Sequence, residues 1–134
     1  MVSTLHSIGA VTLFAEDVPG TKAFYQDVFG LQVIYEDESS AVLRLDNTMI
    51  NVLQVSEAAG LIGPAPVGGP GAGARAMFSI WVEDTDAVCA QLRDRGVTLL
   101  NGPVDRDWGK RTASFADPAG NVWEIAQDIP PAQG

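Results

Sequence analysis

Cysteine, histidine and positive charge are the scarce materials of this chain. A single cysteine, Cys89, in 134 residues excludes an intrachain disulfide, and a reducing cytoplasm is the expected compartment. The only histidine, His6, lies near a chain end with no Ser or Cys partner marked nearby; a surface or strand-edge position is expected, although the residue type also serves as base or ligand. Eight basic residues stand against 17 acidic ones, a formal charge of −9, which makes nucleic acid and anionic membranes poor partners and tolerates a cationic ligand better. No apolar run approaches the length of a membrane span. The first residues have neither a basic n-region nor an apolar h-region, so no secretory leader is expected. The glycines of GGPGAG lack the Lys and following Ser/Thr of a phosphate-binding loop.

What is present is enough apolar material, 46% of the residues, for the core of one globular domain spanning 1–134. Ile8–Ala15 reads as a buried strand. Asp17 is a helix N-cap with Pro19 in the first turn, Phe24 and Val28 share a helical face, and Gly30 ends the helix. Three strands follow, Leu31–Tyr35, Ala41–Leu45 and Thr48–Gln54. The Gly-, Pro- and Ala-rich segment from Val55 to Arg75 reads as a loop or linker, either a lid or a passive connection. Met77–Val82 is then a strand, Asp84 caps a helix whose stripe is Val88 and Leu92, and Val97–Leu100 is a further strand. The chain closes on RTASFADPAGNVWEIAQ, two strands joined by the turn residues Asp117 to Asn121.

This plan is an internal repeat. Phe14-Ala15-Glu16-Asp17 aligns with Trp81-Val82-Glu83-Asp84, Gly30-Leu31 with Gly96-Val97, and MINVLQ with NVWEIA. The expected fold is therefore α+β: two βαβββ modules, about 7–54 and about 76–128, joined by the linker of about 55–75. A pseudo-twofold arrangement of such modules encloses a cleft, with Ala10 equivalent to Met77 and Asn51 to Glu124. Alternation puts Thr12, Phe14, Leu53, Ser79 and Trp81 on the same face as those four. Val11, Leu13, Phe78, Ile80 and Val82 form an apolar stripe suited to packing under helices.

At this point the chain resembles the vicinal oxygen chelate superfamily: glyoxalase I, extradiol dioxygenases, fosfomycin-type resistance enzymes and bleomycin-resistance binding proteins. The likeness runs from Ile8 to Gln127 and rests on EDVPGTKAFYQDVFGL, VEDTDAVCAQLRDRGV and FADPAGNVWEIAQ. It implies paired modules forming a curved, barrel-like cleft, usually in a homodimer. In metal-dependent members it also implies a divalent metal on the first and last strands of each module. By position those ligands fall at Ala10, Asn51, Met77 and Glu124. Only Glu124 is a good ligand for a hard cation, so no metal or other cofactor is expected, a divalent metal being the alternative.

Glu124 is the leading functional residue. It accepts a proton as a catalytic acid–base group, binds a cationic or hydroxyl group of a ligand, or is a strand carboxylate paired with Arg111. Trp123 is expected in the core and Trp81 in the cleft; Trp108 either rims the cleft or anchors its loop. Cys89 reads as a buried, inert thiol. The ligand-facing set is Thr12, Phe14, Asn51, Leu53, Met77, Ser79, Trp81, Trp108, Arg111 and Glu124. The function expected is metal-free binding of a flat or aromatic small molecule, with antibiotic sequestration one version. The alternative is a glyoxalase-like lyase or isomerase, or a dioxygenase, using Glu124.

Overall fold

A computed structural model describes residues 2–130. Two compact units, Met1–Val67 and Gly68–Gly134, each carry one four-stranded sheet. The first unit runs β1 (Val11–Ala15), α1 (Val18–Asp27), β2 (Val33–Glu36), β3 (Ser40–Arg44) and β4 (Met49–Gln54), with strand order β1-β4-β3-β2. The β1–β4 pair is parallel and the others antiparallel. Parallel pairing requires a crossover, and α1 with the β2–β3 hairpin supplies it.

Asp17 caps α1 as its sequence position predicts, its Oδ1 accepting from Gly20 N at 3.0 Å, with Pro19 in the first turn. The buried face of α1 is Val18, Thr21 and Tyr25 rather than the expected Phe24 and Val28. Tyr25 is fully buried, while Phe24 and Phe29 pack around its ring at 5.3 and 5.0 Å between centroids. The two-residue apolar stripe misjudged the helix's rotation because Tyr25 offers more apolar area than Val28. Beneath α1 lie Leu13, Ala15, Leu43, Ile50 and Val52, all buried.

The segment expected to be an irregular linker contains short helices. A 3-10 turn at Val55–Glu57 leads into α2 (Ala58–Ile62), and a second 3-10 turn covers Pro70–Ala72. Ala58, Ala59, Leu61 and Ile62 are good or neutral helix formers that carry the one helical glycine, Gly60, and the dense run of Gly and Pro that suggested a loop begins at Gly63.

The second unit repeats the plan with β5 (Met77–Trp81), α3 (Thr85–Asp94), β6 (Leu99–Arg106), β7 (Lys110–Ala116) and β8 (Val122–Asp128), in the order β5-β8-β7-β6. Asp84 caps α3 through Ala87 N at 3.1 Å. Thr85 ties the helix start to the sheet, its N–H donating to Gln127 Oε1 and its hydroxyl to the Arg111 carbonyl, both at 2.8 Å. The core under α3 holds Cys89, Leu92, Phe115, Ile125 and Trp123, the last 4% exposed with its ring 5.1 Å from that of Phe78. Burial raises the Cys89 thiol pKa, which keeps it protonated and inert.

Between β7 and β8 the turn is built on a buried carboxylate. Asp117 Oδ1 accepts from Ala119 N and Asn121 N, and its Oδ2 from the Asn121 side-chain amide. Gly120 adopts φ +89, a conformation that disfavours a side chain.

The sequence expectation that fails most instructively is β6. It does not stop at Leu100; it continues through Gly102 and Pro103 to Arg106. β6 is an edge strand, where a proline is tolerated, and Gly102 sits at φ +86 in a bulge. The register shows the insertion: Asn101 pairs with Ser114 and Val104 with Thr112, three steps on β6 against two on β7.

Candidate functional site

In each unit one face of the sheet packs under a helix and the other carries the polar residues. On the second unit, Phe78, Ile80, Phe115, Trp123 and Ile125 belong to the helix side, so alternation sends Met77, Ser79, Trp81, Glu124 and Ala126 to the open side. Register extends this face across all four strands. One row is Ser79–Glu124–Ser114–Asn101; the next is Trp81–Ala126–Thr112–Val104; Asp128, Lys110 and Arg106 lie beyond.

Within the first row, Ser79 Oγ donates to Glu124 Oε1 at 2.9 Å. That bond orients the carboxylate and leaves its second oxygen without a protein partner among the described residues. Trp81 is 71% exposed, with the Lys110 ammonium 4.7 Å from its ring centroid, a cation–π contact. Lys110 also forms an ion pair with Asp128. Arg106 donates from Nε to Thr112 Oγ1 at 3.0 Å and from Nη2 to Asn101 Oδ1 at 3.3 Å, and its guanidinium carbon lies 5.8 Å from the Trp108 ring centroid. Trp108 itself, 67% exposed, sits in the turn between β6 and β7. The face thus carries two carboxylates, Glu124 and Asp128, two cations and an exposed indole, with the buried small residues Ser114, Thr112 and Ala126 between them.

The first unit's open face has the same geometry and different chemistry. Its rows are Thr12–Asn51–Val42–Tyr35 and Phe14–Leu53–Ser40, with Arg44 and Met49 paired beyond. Asn51 Oδ1 is buried and has no hydrogen-bond partner among the described residues, an acceptor available to a donor. Leu53 is buried rather than presented.

Of the residues singled out from the sequence, Thr12, Phe14, Asn51 and Leu53 share the first sheet's open face, and Met77, Ser79, Trp81 and Glu124 share the second's. Arg111 is a correction. It points to the helix side, donating to Asp86 on α3 from Nε and Nη2 at 3.1 and 2.9 Å, and to Asp105 from Nη1 at 2.9 Å. Those carboxylates raise the Arg111 pKa, and the hydrogen-bonded Arg111 guanidinium lowers that of Asp86. Arg111 is one residue out of phase with Glu124's partner Ser114, so neither ligand contact on the open face nor an Arg111–Glu124 pair is available to it. Sequence reading missed Asn101, Arg106 and Lys110. Lys110 was within reach of the alternation that placed Glu124, but Asn101 and Arg106 required knowledge of two register shifts on β6, one between Leu99 and Asn101 and one between Asn101 and Val104.

The metal positions of the resemblance test poorly against these side chains. Glu124 is the one strong hard-cation donor, and Ser79 already occupies one of its oxygens. Ala10 has no donor atom, the Met77 thioether suits soft metals, and Asn51 offers a neutral amide. Among the described residues no three His, Cys, Asp or Glu side chains form a group able to hold a metal ion. This donor set does not fit a divalent cation.

Comparison with known proteins agrees with the fold. Residues 7–125 match the sequence profile of the Glyoxalase/Bleomycin resistance protein/Dioxygenase superfamily. The uncharacterized protein YraH of Bacillus subtilis (strain 168) is 30% identical over 119 residues, covering 86% of this chain and 93% of its own length. Among solved structures, a glyoxalase/bleomycin resistance protein/dioxygenase from Nocardioides superposes with a TM-score of 0.84 at 20% identity, covering 99% of this chain and 93% of that one. Lactoylglutathione lyase from Agrobacterium tumefaciens gives a TM-score of 0.73 at 21% identity, with coverage of 91% and 93%.

Proposed function

The chain belongs to the Glyoxalase/Bleomycin resistance protein/Dioxygenase superfamily, and from that premise we propose that it is a metal-free protein that binds a planar small molecule on the open sheet face of its second module. The observation that carries this reading is Trp81. An indole that is 71% exposed at the end of β5 leaves a large apolar surface in water, and a flat ligand stacked on it would remove that surface. Glu124, fixed by Ser79, stands one row away to accept from a donor or cation at the ligand's edge. Capture of an antibiotic, as in bleomycin-resistance proteins, is one form this binding would take.

A thermal-shift screen of planar aromatic compounds tests the reading, because a ligand that binds only the native state raises the unfolding midpoint. Hits are expected to lose their effect on Trp81→Ala; hits of unchanged affinity in that variant would reject the site. One equivalent of Zn, Ni, Fe or Mn per chain bound through Glu124 would reject the metal-free part.

One observation favours a second reading, acid–base catalysis by a lyase or isomerase: the Ser79 bond orients Glu124 and leaves its other oxygen without a partner among the described residues. Under that reading Glu124→Gln abolishes turnover while retaining binding. We also propose a cytoplasmic homodimer, on the family resemblance and the reduced, buried Cys89; a monomer in sedimentation at micromolar concentration would contradict the dimer.

A further inference from the structure

In a strictly alternating strand Asn101 and Arg106, five residues apart, would point to opposite faces. The bulge at Gly102 and Pro103 changes that parity, and both side chains reach the open face. Arg106 is therefore placed on this face by the backbone, not by local pattern. Its surroundings differ from those of the other two cations on the β6–β7 hairpin. Lys110 has Asp128, and Arg111 has Asp86 and Asp105. Arg106 is held by two neutral oxygens, Thr112 Oγ1 and Asn101 Oδ1, with Thr112 fully buried. Neutral acceptors fix a guanidinium's plane without cancelling its charge. Of the five N–H groups, two are used, and both on Nη1 have no protein partner among the described residues. In a chain with 17 acids for eight bases, a cation oriented in this way and left without a carboxylate is set up for an external anion.

We infer that Arg106 is an anion-binding residue and that the planar ligand of this face carries a carboxylate, an inference that rests on the binding reading above. A carboxylate matches the unused guanidinium fork, and Trp108 beside it adds an aromatic wall. Glu124 lies two strand spacings from Asn101 in the same row, roughly 10 Å, so it repels an anion at Arg106 only weakly and favours the opposite, donor-bearing end of the molecule there. The ligand class is an aromatic carboxylate whose far edge bears a hydroxyl or amine.

The test uses 2-naphthoate and its neutral counterpart 2-naphthamide, titrated calorimetrically into the native protein, Arg106→Gln, Arg106→Lys and Trp81→Ala. Naphthoate is expected to bind the native protein more tightly than naphthamide, and more weakly as salt rises. Arg106→Gln should weaken naphthoate by about tenfold to a hundredfold, the loss of a charge-assisted pair, and leave naphthamide unchanged. Arg106→Lys should keep part of the preference, as charge survives without the fork. Equal binding of both probes by the native protein, or naphthoate affinity unchanged in Arg106→Gln, overturns the inference while leaving the stacking reading intact. If Arg106→Gln loses both probes alike with a lowered unfolding midpoint, Arg106 is structural and the inference falls. Failure of both probes to bind the native protein rejects the stacking reading and this inference together.

Discussion

The two modules share a scaffold and differ in what they put on it. Their strand orders, β1-β4-β3-β2 and β5-β8-β7-β6, correspond element by element, and the crossover helices α1 and α3 begin on capping aspartates, Asp17 and Asp84. Their open faces diverge row by row. Thr12–Asn51–Val42–Tyr35 in the first module corresponds to Ser79–Glu124–Ser114–Asn101 in the second, and Phe14–Leu53–Ser40 to Trp81–Ala126–Thr112. The first face is largely neutral, with an amide oxygen unpartnered among the described residues; the second carries a buttressed carboxylate, two cations and an exposed indole. Duplication of a βαβββ unit conserves the helix-side apolar positions because they make the core. The open-face positions are free to change, and there the chemistry has accumulated on one copy.

The largest effect that sharpens this contrast lies within the second module. Trp123→Ala removes a buried side chain and should cost about 3–5 kcal/mol, whereas Trp81→Ala, on the exposed face, should cost much less and lower ligand affinity instead. Paired denaturant midpoints and titrations check it; equal destabilisation would erase the division between core face and open face.

Next comes Gly102→Ala. Its added methyl would stand 2.4 Å from the Thr112 carbonyl oxygen, at φ +86, so strain of at least about 1–2 kcal/mol is expected, with loss of the Asn101–Arg106 arrangement. The first module's bulge, at Ile34 between Val33 and Tyr35, involves no glycine, and Ile34→Ala should leave binding on the second face untouched. A midpoint unchanged by Gly102→Ala would show that the bulge relaxes freely.

Smaller still are the caps. Asp17→Ala and Asp84→Ala should each cost about 1 kcal/mol in thermal unfolding, equally if the two helices are energetically equivalent. A clear inequality would mean that the Thr85 bonds to β7 and β8 hold the start of α3 without its cap.

The smallest effect separates the modules by pH. In the β2–β3 turn Asp37 accepts from Ser39 N, the Tyr35 hydroxyl and the Ser40 hydroxyl, which lowers its pKa from 3.8 to about 2. A depressed carboxylate contributes stability that is complete above its unfolded value and is lost as pH falls from 3.8 toward about 2. Asp37→Asn should therefore flatten the stability–pH curve in that window and leave it unchanged at neutral pH apart from a constant offset. An unaltered slope would show that the turn bonds do not survive in solution.

The amino-acid order alone determined a good deal. Asp17, Asp84, Gly30 and Gly96 mark helix ends through local hydrogen bonds and backbone freedom, which few neighbouring residues can override. The period of two on MFSIWV and NVWEI assigned Trp81 and Trp123 to opposite faces, and the correspondence between the halves revealed the duplicated module. Beyond that, tertiary structure decided. Tyr25 rather than Phe24 became the buried helix residue because the sheet beneath determines which face of α1 is covered. Arg111 turned to Asp86 and away from Glu124 because pairing register, set by long-range strand contacts, placed them out of phase. Asn101 and Arg106 met on one face only because Gly102 and Pro103, which locally read as a strand's end, fold as a bulge on an edge strand. Parity along a strand is a property of its partner as much as of its sequence, and one inserted residue reverses it for every side chain beyond.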